Sequence, residues 1–183
     1  MPLSEPTQRE FVHQRHIDLR GYHRVDGCID VEAHLTDTKT YGFSTTEREV
    51  GAGEPVHEMW MRMTVNRARV IVACEAATEH GPFSICPQAA PNFSALAGLS
   101  LQRGFLKAAT ERVAGAHGCT HLRELLQQMA TVALHTLQSR GRDLQPADAT
   151  ASVTSPKLLV NSCLAFAENG PVVKRLWPDL AKD

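Results

Sequence analysis

An α+β domain, an antiparallel sheet followed by helices packed on one face, is what three features of this chain predict. Apolar and polar residues alternate in the first half, the apolar period lengthens to that of a helix in the second, and the two kinds of segment follow one another instead of interleaving. The sheet is expected from about residue 15 to 77, and the helices from roughly 87 to 140, ending in a long amphipathic one.

Each element has its own signal. Ile29, Val31, Ala33 and Leu35 are separated by Asp30, Glu32 and His34, the pattern of a half-buried strand, with His34 facing away from the apolar side. Thr36 to Gly53 is polar and irregular and reads as a loop or an edge hairpin. Met59 to Val65 and Val70 to Ala76 flank Asn66-Arg67-Ala68-Arg69 as a hairpin, so three antiparallel strands are the minimum. Pro87 to Leu99 is a short helix opened by proline, and Phe105 to Val113 is a second that ends at a turn from Gly115 to Gly118. After Cys119, Leu122, Leu125, Leu126, Met129, Val132 and Ala133 recur at helical spacing until Gly141. Residues 1–140 are thus expected as one compact domain. Gly141 to Ser155, rich in Ala, Asp, Thr and Pro, reads as a linker, and 141–183 as that linker plus a C-terminal docking segment.

Composition narrows the function. A chain of 183 residues, 43% hydrophobic and 21% charged, folds around a real core. With 19 Lys and Arg against 20 Asp and Glu, no field favours nucleic acid or an anionic membrane. No stretch approaches the roughly 20 apolar residues that span a bilayer, and Met1-Pro2-Leu3-Ser4-Glu5 does not open a leader, so a cytoplasmic protein is expected. Five cysteines without a C-x-x-C pair argue against a disulfide framework. Cys28, Cys74 and Cys163 are expected as inert core or edge thiols, and His13, His16 and His23, among Arg15, Arg20 and Arg24, as surface residues. Phosphate loops, the G-x-S-x-G elbow and H-E-x-x-H are all missing, which takes the main support from nucleotide-dependent, serine-hydrolase and zincin readings.

Two places carry chemistry. In Gly118-Cys119-Thr120-His121, Thr120 is a good N-cap for the long helix, which sets Cys119 beside the helix dipole and His121 in the first turn with Glu124 three residues on. The plainer alternative is a small packed thiol and an ordinary first turn. At the end of the first strand, His34, Asp37 and Lys39 form an acid–base set: a carboxylate to orient an imidazole and a cation to hold an anion. His57 shares the parity of Met59, Met61 and Met63, which are core residues, so it is either a site histidine or a satisfied buried one. Trp60 and Arg62 point the other way; both are candidate substrate contacts, Arg62 through a bidentate carboxylate bond or else as a solvated strand residue.

The strings Gly21-Tyr22-His23-Arg24 with Asp26-Gly27, Asp30 to Lys39, Gly53 to Trp60, and Gly118-Cys119-Thr120-His121-Leu122 with Glu124-Leu125 together resemble a bacterial family known only as a domain of unknown function, number 2889. The resemblance spans roughly residues 15 to 137 and implies a family without an activity. The order of the hairpin, the junction at Cys86-Pro87 and the junction at Cys119 is also similar to that of iron–sulfur scaffold proteins of the IscU/NifU type. Those proteins carry a cysteine before the hairpin, where this chain has His57. A single ion with mixed ligands is therefore what that likeness implies.

Two functions follow. The first is a small enzyme, with lyase or isomerase chemistry on a small organic acid or hydroxylated aromatic compound. It uses His34, Asp37, His57, Cys119 and His121 around one pocket, Arg62, Lys39 and Trp60 as substrate contacts, and no required cofactor. The second is a zinc or iron protein, a scaffold, sensor or delivery factor, with Cys86, Cys119, His57 and His121 as ligands. Both expect a small-molecule partner, neither nucleic acid nor membrane, and both admit a homodimer.

Overall fold

The computed structural model describes residues 3–139 and 156–182. The expected linker, Gly141 to Ser155, lies outside them. The chain divides into two compact units, Met1–Thr136 and Leu137–Asp183.

The first unit has the predicted α+β architecture. Strands β1 (His13–His23), β2 (Ile29–Lys39), β5 (Pro55–Val65) and β6 (Ile71–His80) form an antiparallel sheet in the order β1-β2-β5-β6, and β3 (Phe43–Ser44) pairs with β4 (Glu49–Val50) in a separate small hairpin. A 3-10 helix (Cys86–Leu96), α1 (Phe105–Val113), a 3-10 turn (Gly115–His117) and α2 (Thr120–Gln138) follow. Among the described residues, no helix is long and apolar enough to cross a membrane.

Strict alternation builds one apolar face. In β2, residues 29, 31, 33, 35 and 37 are buried and those between are half-buried. Met59, Met61, Met63 and Val65 of β5 continue that layer. The helices supply its other half: Phe93, Leu96, Phe105, Ala109, Val113 and the Leu122, Leu125, Leu126, Met129, Ala133 stripe of α2 are all buried. The cysteines divide by place: Cys74 is buried, Cys28 is half-buried and Cys163 is exposed, so the last is no core residue. Burial foremost, with Glu75 adding, pushes the Cys74 thiol up to about 12, which keeps it inert.

Three elements depart from expectation. β1 completes the sheet with a sequence that is mostly polar, because an edge strand buries little; only Ile17, Asp18 and Leu19 are even half-covered. β2 runs on through Thr36–Lys39, so the loop begins only after Lys39. Cys86–Leu96 is 3-10 instead of α-helical; Pro91, inside it, withholds a backbone donor from an α-helical ladder, whereas Pro87 in the first turn withholds none.

Helix α2 lies along β1. Its Glu124 meets Arg15 and its Thr136 meets Gly21. Six strand residues and twelve helical ones cover about 20 and about 18 Å respectively, so the two contacts match in length. A Cβ at Gly21 would stand 1.9 Å from Thr136 Oγ1, so the helix reaches the sheet there only over a glycine.

Among its described residues, the second unit holds α3 (Pro156–Leu159), α4 (Pro171–Leu176) and two 3-10 turns. Its Phe166 and Trp177 rings lie 5.5 Å apart, and Lys182 pairs with Glu168 at 3.0 Å.

Gly21→Ala is expected to lower unfolding stability by about 1–3 kcal/mol through overpacking, and Thr136→Ala in the same chain to recover part of it. Urea denaturation of the single and double variants reads both; an unchanged midpoint for Gly21→Ala contradicts the close approach.

Candidate acid–base site

The site begins as a row across the sheet. Arg15 of β1, Asp37 of β2 and His57 of β5 are Cα partners in register, Arg15 opposite Asp37 and Asp37 opposite His57. Asp37 and His57 share the parity of the buried stripe, so the row sits at the end of the apolar layer on the side the helices cover. The β2–β5 register shifts immediately after Asp37, a bulge that ends the regular ladder beside the carboxylate.

Helix α2 closes the row from above. Arg123 N donates to Cys119 O at 3.0 Å, so Cys119 is the capping residue and Thr120 the first helical one, a position earlier than expected. The entry is tight: a Cβ at Gly118 would lie 1.7 Å from Val113 O, so only glycine fits where the chain turns into Cys119. That turn lays the His121 ring against His57, with centroids 3.9 Å apart and planes tilted by 34°. The Cys119 thiol lies 3.8 Å from Met59 Sδ and 3.9 Å from His121 Nδ1.

Asp37, only 2% exposed, is the hub. Arg15 Nε donates to its Oδ1 at 2.8 Å and Arg15 Nη2 to its Oδ2 at 2.7 Å, a bidentate fork. His57 Nδ1 lies 3.1 Å from Oδ2, His13 Nε2 3.3 Å from Oδ1, and His121 Nε2 3.9 Å from Oδ2. Burial pushes the Asp37 carboxyl up, but the Arg15 hydrogen bonds and charge, with both histidines, outweigh it and hold it below its ordinary value. The carboxylate is therefore ionised and can only accept. His57 must donate from Nδ1, which places its lone pair on Nε2.

Both imidazoles are shifted down as well, which for them favours the neutral form. Burial first, then the neighbouring His121 charge, lowers the His57 pKa against the pull of Asp37. His121 is lowered by burial and then by Arg15. Neutral histidines in ring contact over an ionised carboxylate can accept or relay a proton near neutral pH.

Of the expected site residues, Asp37, His57, Cys119 and His121 come together and His34 does not. Its parity is opposite to that of Asp37, so it lies on the outer face of the sheet. There His34 Nε2 is 2.9 Å from Glu58 Oε1, His80 Nδ1 is 2.9 Å from Glu58 Oε2, and the His34 ring stacks on Trp60 at 3.7 Å. Trp60, 42% exposed, and Arg62, paired with Glu32 at 2.8 Å and Glu75 at 2.6 Å, belong to that face too. Lys39 is turned to Tyr41, 3.1 Å from its hydroxyl, and lies over the Phe43 ring. Cys86 packs on Gly81 beyond the end of β6. The group whose ligand atoms converge, within 4.8 Å of one another, is Asp37, His57 and His121, with neither cysteine in it. Glu124 pairs with Arg15, not with His121. Sequence reasoning missed Arg15 and His13 as site residues; His13 is exposed, as expected, yet it reaches Asp37, and the signal for both was their odd parity in an unrecognised edge strand.

What fold and cluster define is an α+β domain with a histidine–carboxylate centre at one end of its core. The family described as Protein of unknown function (DUF2889) matches residues 13–135, and the chain belongs to it. That span runs from His13 past Glu124 and holds every member of the cluster. No curated protein and no solved structure matches the chain, so the likeness to cluster-assembly scaffolds gains no support.

The depressed values give stability a sign. An unfolded chain takes up protons on these histidines as pH falls below their ordinary 6.5, while the folded chain resists. Stability is therefore full above pH 6.5 and declines below it, and Asp37 adds a second loss below 3.8. Urea midpoints taken through this range should fall less steeply just below pH 6.5 in the double variant His57→Gln, His121→Gln; an equal slope contradicts the burial of neutral rings.

Proposed function

We propose that the protein is a small enzyme that moves protons, with lyase or isomerase chemistry on a small organic acid or hydroxylated aromatic compound. One observation carries the reading: Asp37, forked by Arg15 and therefore ionised, orients His57 through Nδ1 and turns the basic Nε2 outward from the carboxylate. His57 is the base. His121, its ring 3.9 Å away, is the group that returns or relays the proton, and Cys119 lines the same spot. His57 and His121 keep 17% and 22% of their side chains exposed, so a small molecule can reach them while bulk water is largely held off. Proton abstraction and return need no nucleotide cofactor. The partner is a small molecule, and the setting cytoplasmic.

A second reading has its own observation. Two histidines and a carboxylate whose ligand atoms lie within 4.8 Å suit zinc or iron, with positions left open for a ligand. Against it stands Arg15, which already occupies both oxygens of Asp37 and sets a positive charge where an ion would bind. The orienting role of Asp37 is therefore preferred to a ligating one.

The experiment is proton exchange. Incubated in D2O with a panel of small carboxylic acids and phenols, the protein should catalyse loss of a carbon-bound proton signal from one class of them. His57→Gln should slow that exchange by about 100- to 10,000-fold, the usual weight of a general base. Tag-free protein that carries stoichiometric zinc or iron, lost in Asp37→Asn, would replace this reading with the second.

A further inference from the structure

Arg15 stands on an exposed edge strand and yet is not held as a solvated surface charge. Its side chain is 31% exposed, yet each of its three nitrogens has a separate acceptor. Nε and Nη2 take the two oxygens of buried Asp37 on β2, and Nη1 takes Glu124 on α2. Arg15 itself stands on the edge strand β1, so one guanidinium joins three elements at the point where the site is assembled.

Each arm has a distinct consequence. The fork fixes the rotation of the Asp37 carboxylate, and the oxygen at 2.7 Å from Nη2 is the one that accepts from His57 Nδ1 at 3.1 Å. A planar fork holds a carboxylate in one plane; an ammonium does not. The third arm acts on the helix. Glu124 lies three residues after His121, on the same face and one turn along, so holding Glu124 sets how the first turn of α2 lies over the sheet. His121 rides on that turn. The other anchor of α2 on β1, at Gly21, is twelve residues beyond Glu124 at the far end of the helix and cannot set the angle of the first turn.

We propose that Arg15 is the positioning residue of the site: its fork selects the Nδ1–H tautomer of His57, and its bond to Glu124 holds His121 over the His57 ring. The inference rests on the acid–base reading for its purpose, and its test needs neither a substrate nor an activity. The roles are separable. Charge alone is kept by Arg15→Lys, which abolishes the fork, whereas Glu124→Gln keeps the fork and removes the charged acceptor of the third arm. Glu124 is 54% exposed, so its variant is expected to fold as the parent does.

The measurement is nitrogen-15 NMR of the histidine rings at a pH above 6.5, together with ring-to-ring proton contacts between His57 and His121. In the parent, His57 should show a protonated Nδ1 and an unprotonated Nε2. Arg15→Lys should lower that tautomer ratio by about threefold to tenfold, the worth of one ordinary hydrogen bond. Glu124→Gln should leave the tautomer as it was and weaken the contact between the two rings. A His57 pattern in Arg15→Lys equal to the parent's overturns the proposal, as does an undiminished ring contact in Glu124→Gln. Should Arg15→Lys fail to fold, the Glu124→Gln contact decides alone. If the proposal fails, proton exchange at His57 still stands on its own test.

Discussion

A carboxylate that is almost wholly buried must be compensated, and how Asp37 is compensated sets the rest of the site. Left alone among Leu35, Met59 and the α2 stripe, it would be driven to its neutral form. The Arg15 fork prevents that, and the remaining capacity of its oxygens is taken by imidazoles. Because both oxygens are filled from β1 and β5, the three strands are locked in one register at this end. The helix arrives already committed to the same residues through Glu124 and His121. Such an ionic hub adds little net stability over an apolar substitute, and its worth lies in fixing geometry.

The sheet separates two polar systems that a linear reading runs together. On the covered face, Arg15, Asp37, His57 and His121 share one carboxylate. On the open face, Glu58 is shared by His34 and His80, beside a shallow cavity lined by Asp18, Arg20, Glu32 and Trp60. The first lies under α2, and burial lowers the pKa of His57 and His121; His34, Glu58 and His80 of the second are half-buried on the other face. That difference is why the proposed catalysis is placed on the covered face, although the open one also sets two histidines on a carboxylate.

Much of this was legible in the sequence, and the failures have a common cause. Period 2 gave β2 and the β5–β6 hairpin, and period 3.6 gave α2, because in each the buried face repeats often enough to be seen. The same parity rule placed His57 correctly with the methionines. Applied to β2, it would have parted His34 from Asp37, since their numbers differ by three; grouping them by nearness in sequence concealed this. Edge strand β1 buries too little to show a period, so nothing tied His13 or Arg15 to the covered face, and the partner of Asp37 was missed. Cys86 was joined to the site by motif order alone, and three-dimensional distance undid it.

The central claim is that the Arg15–Asp37 pair, not the individual residues, organises this end of the domain. A double-mutant cycle on stability, with Arg15→Met, Asp37→Asn and the two combined, isolates that pair from everything else each side chain touches. The claim predicts a coupling above about 1 kcal/mol, with the double variant more stable than the sum of the single losses implies, because each single change strands the other partner. A coupling within a few tenths of a kcal/mol of zero would contradict it, and would mean that the buried carboxylate is held by something other than the fork.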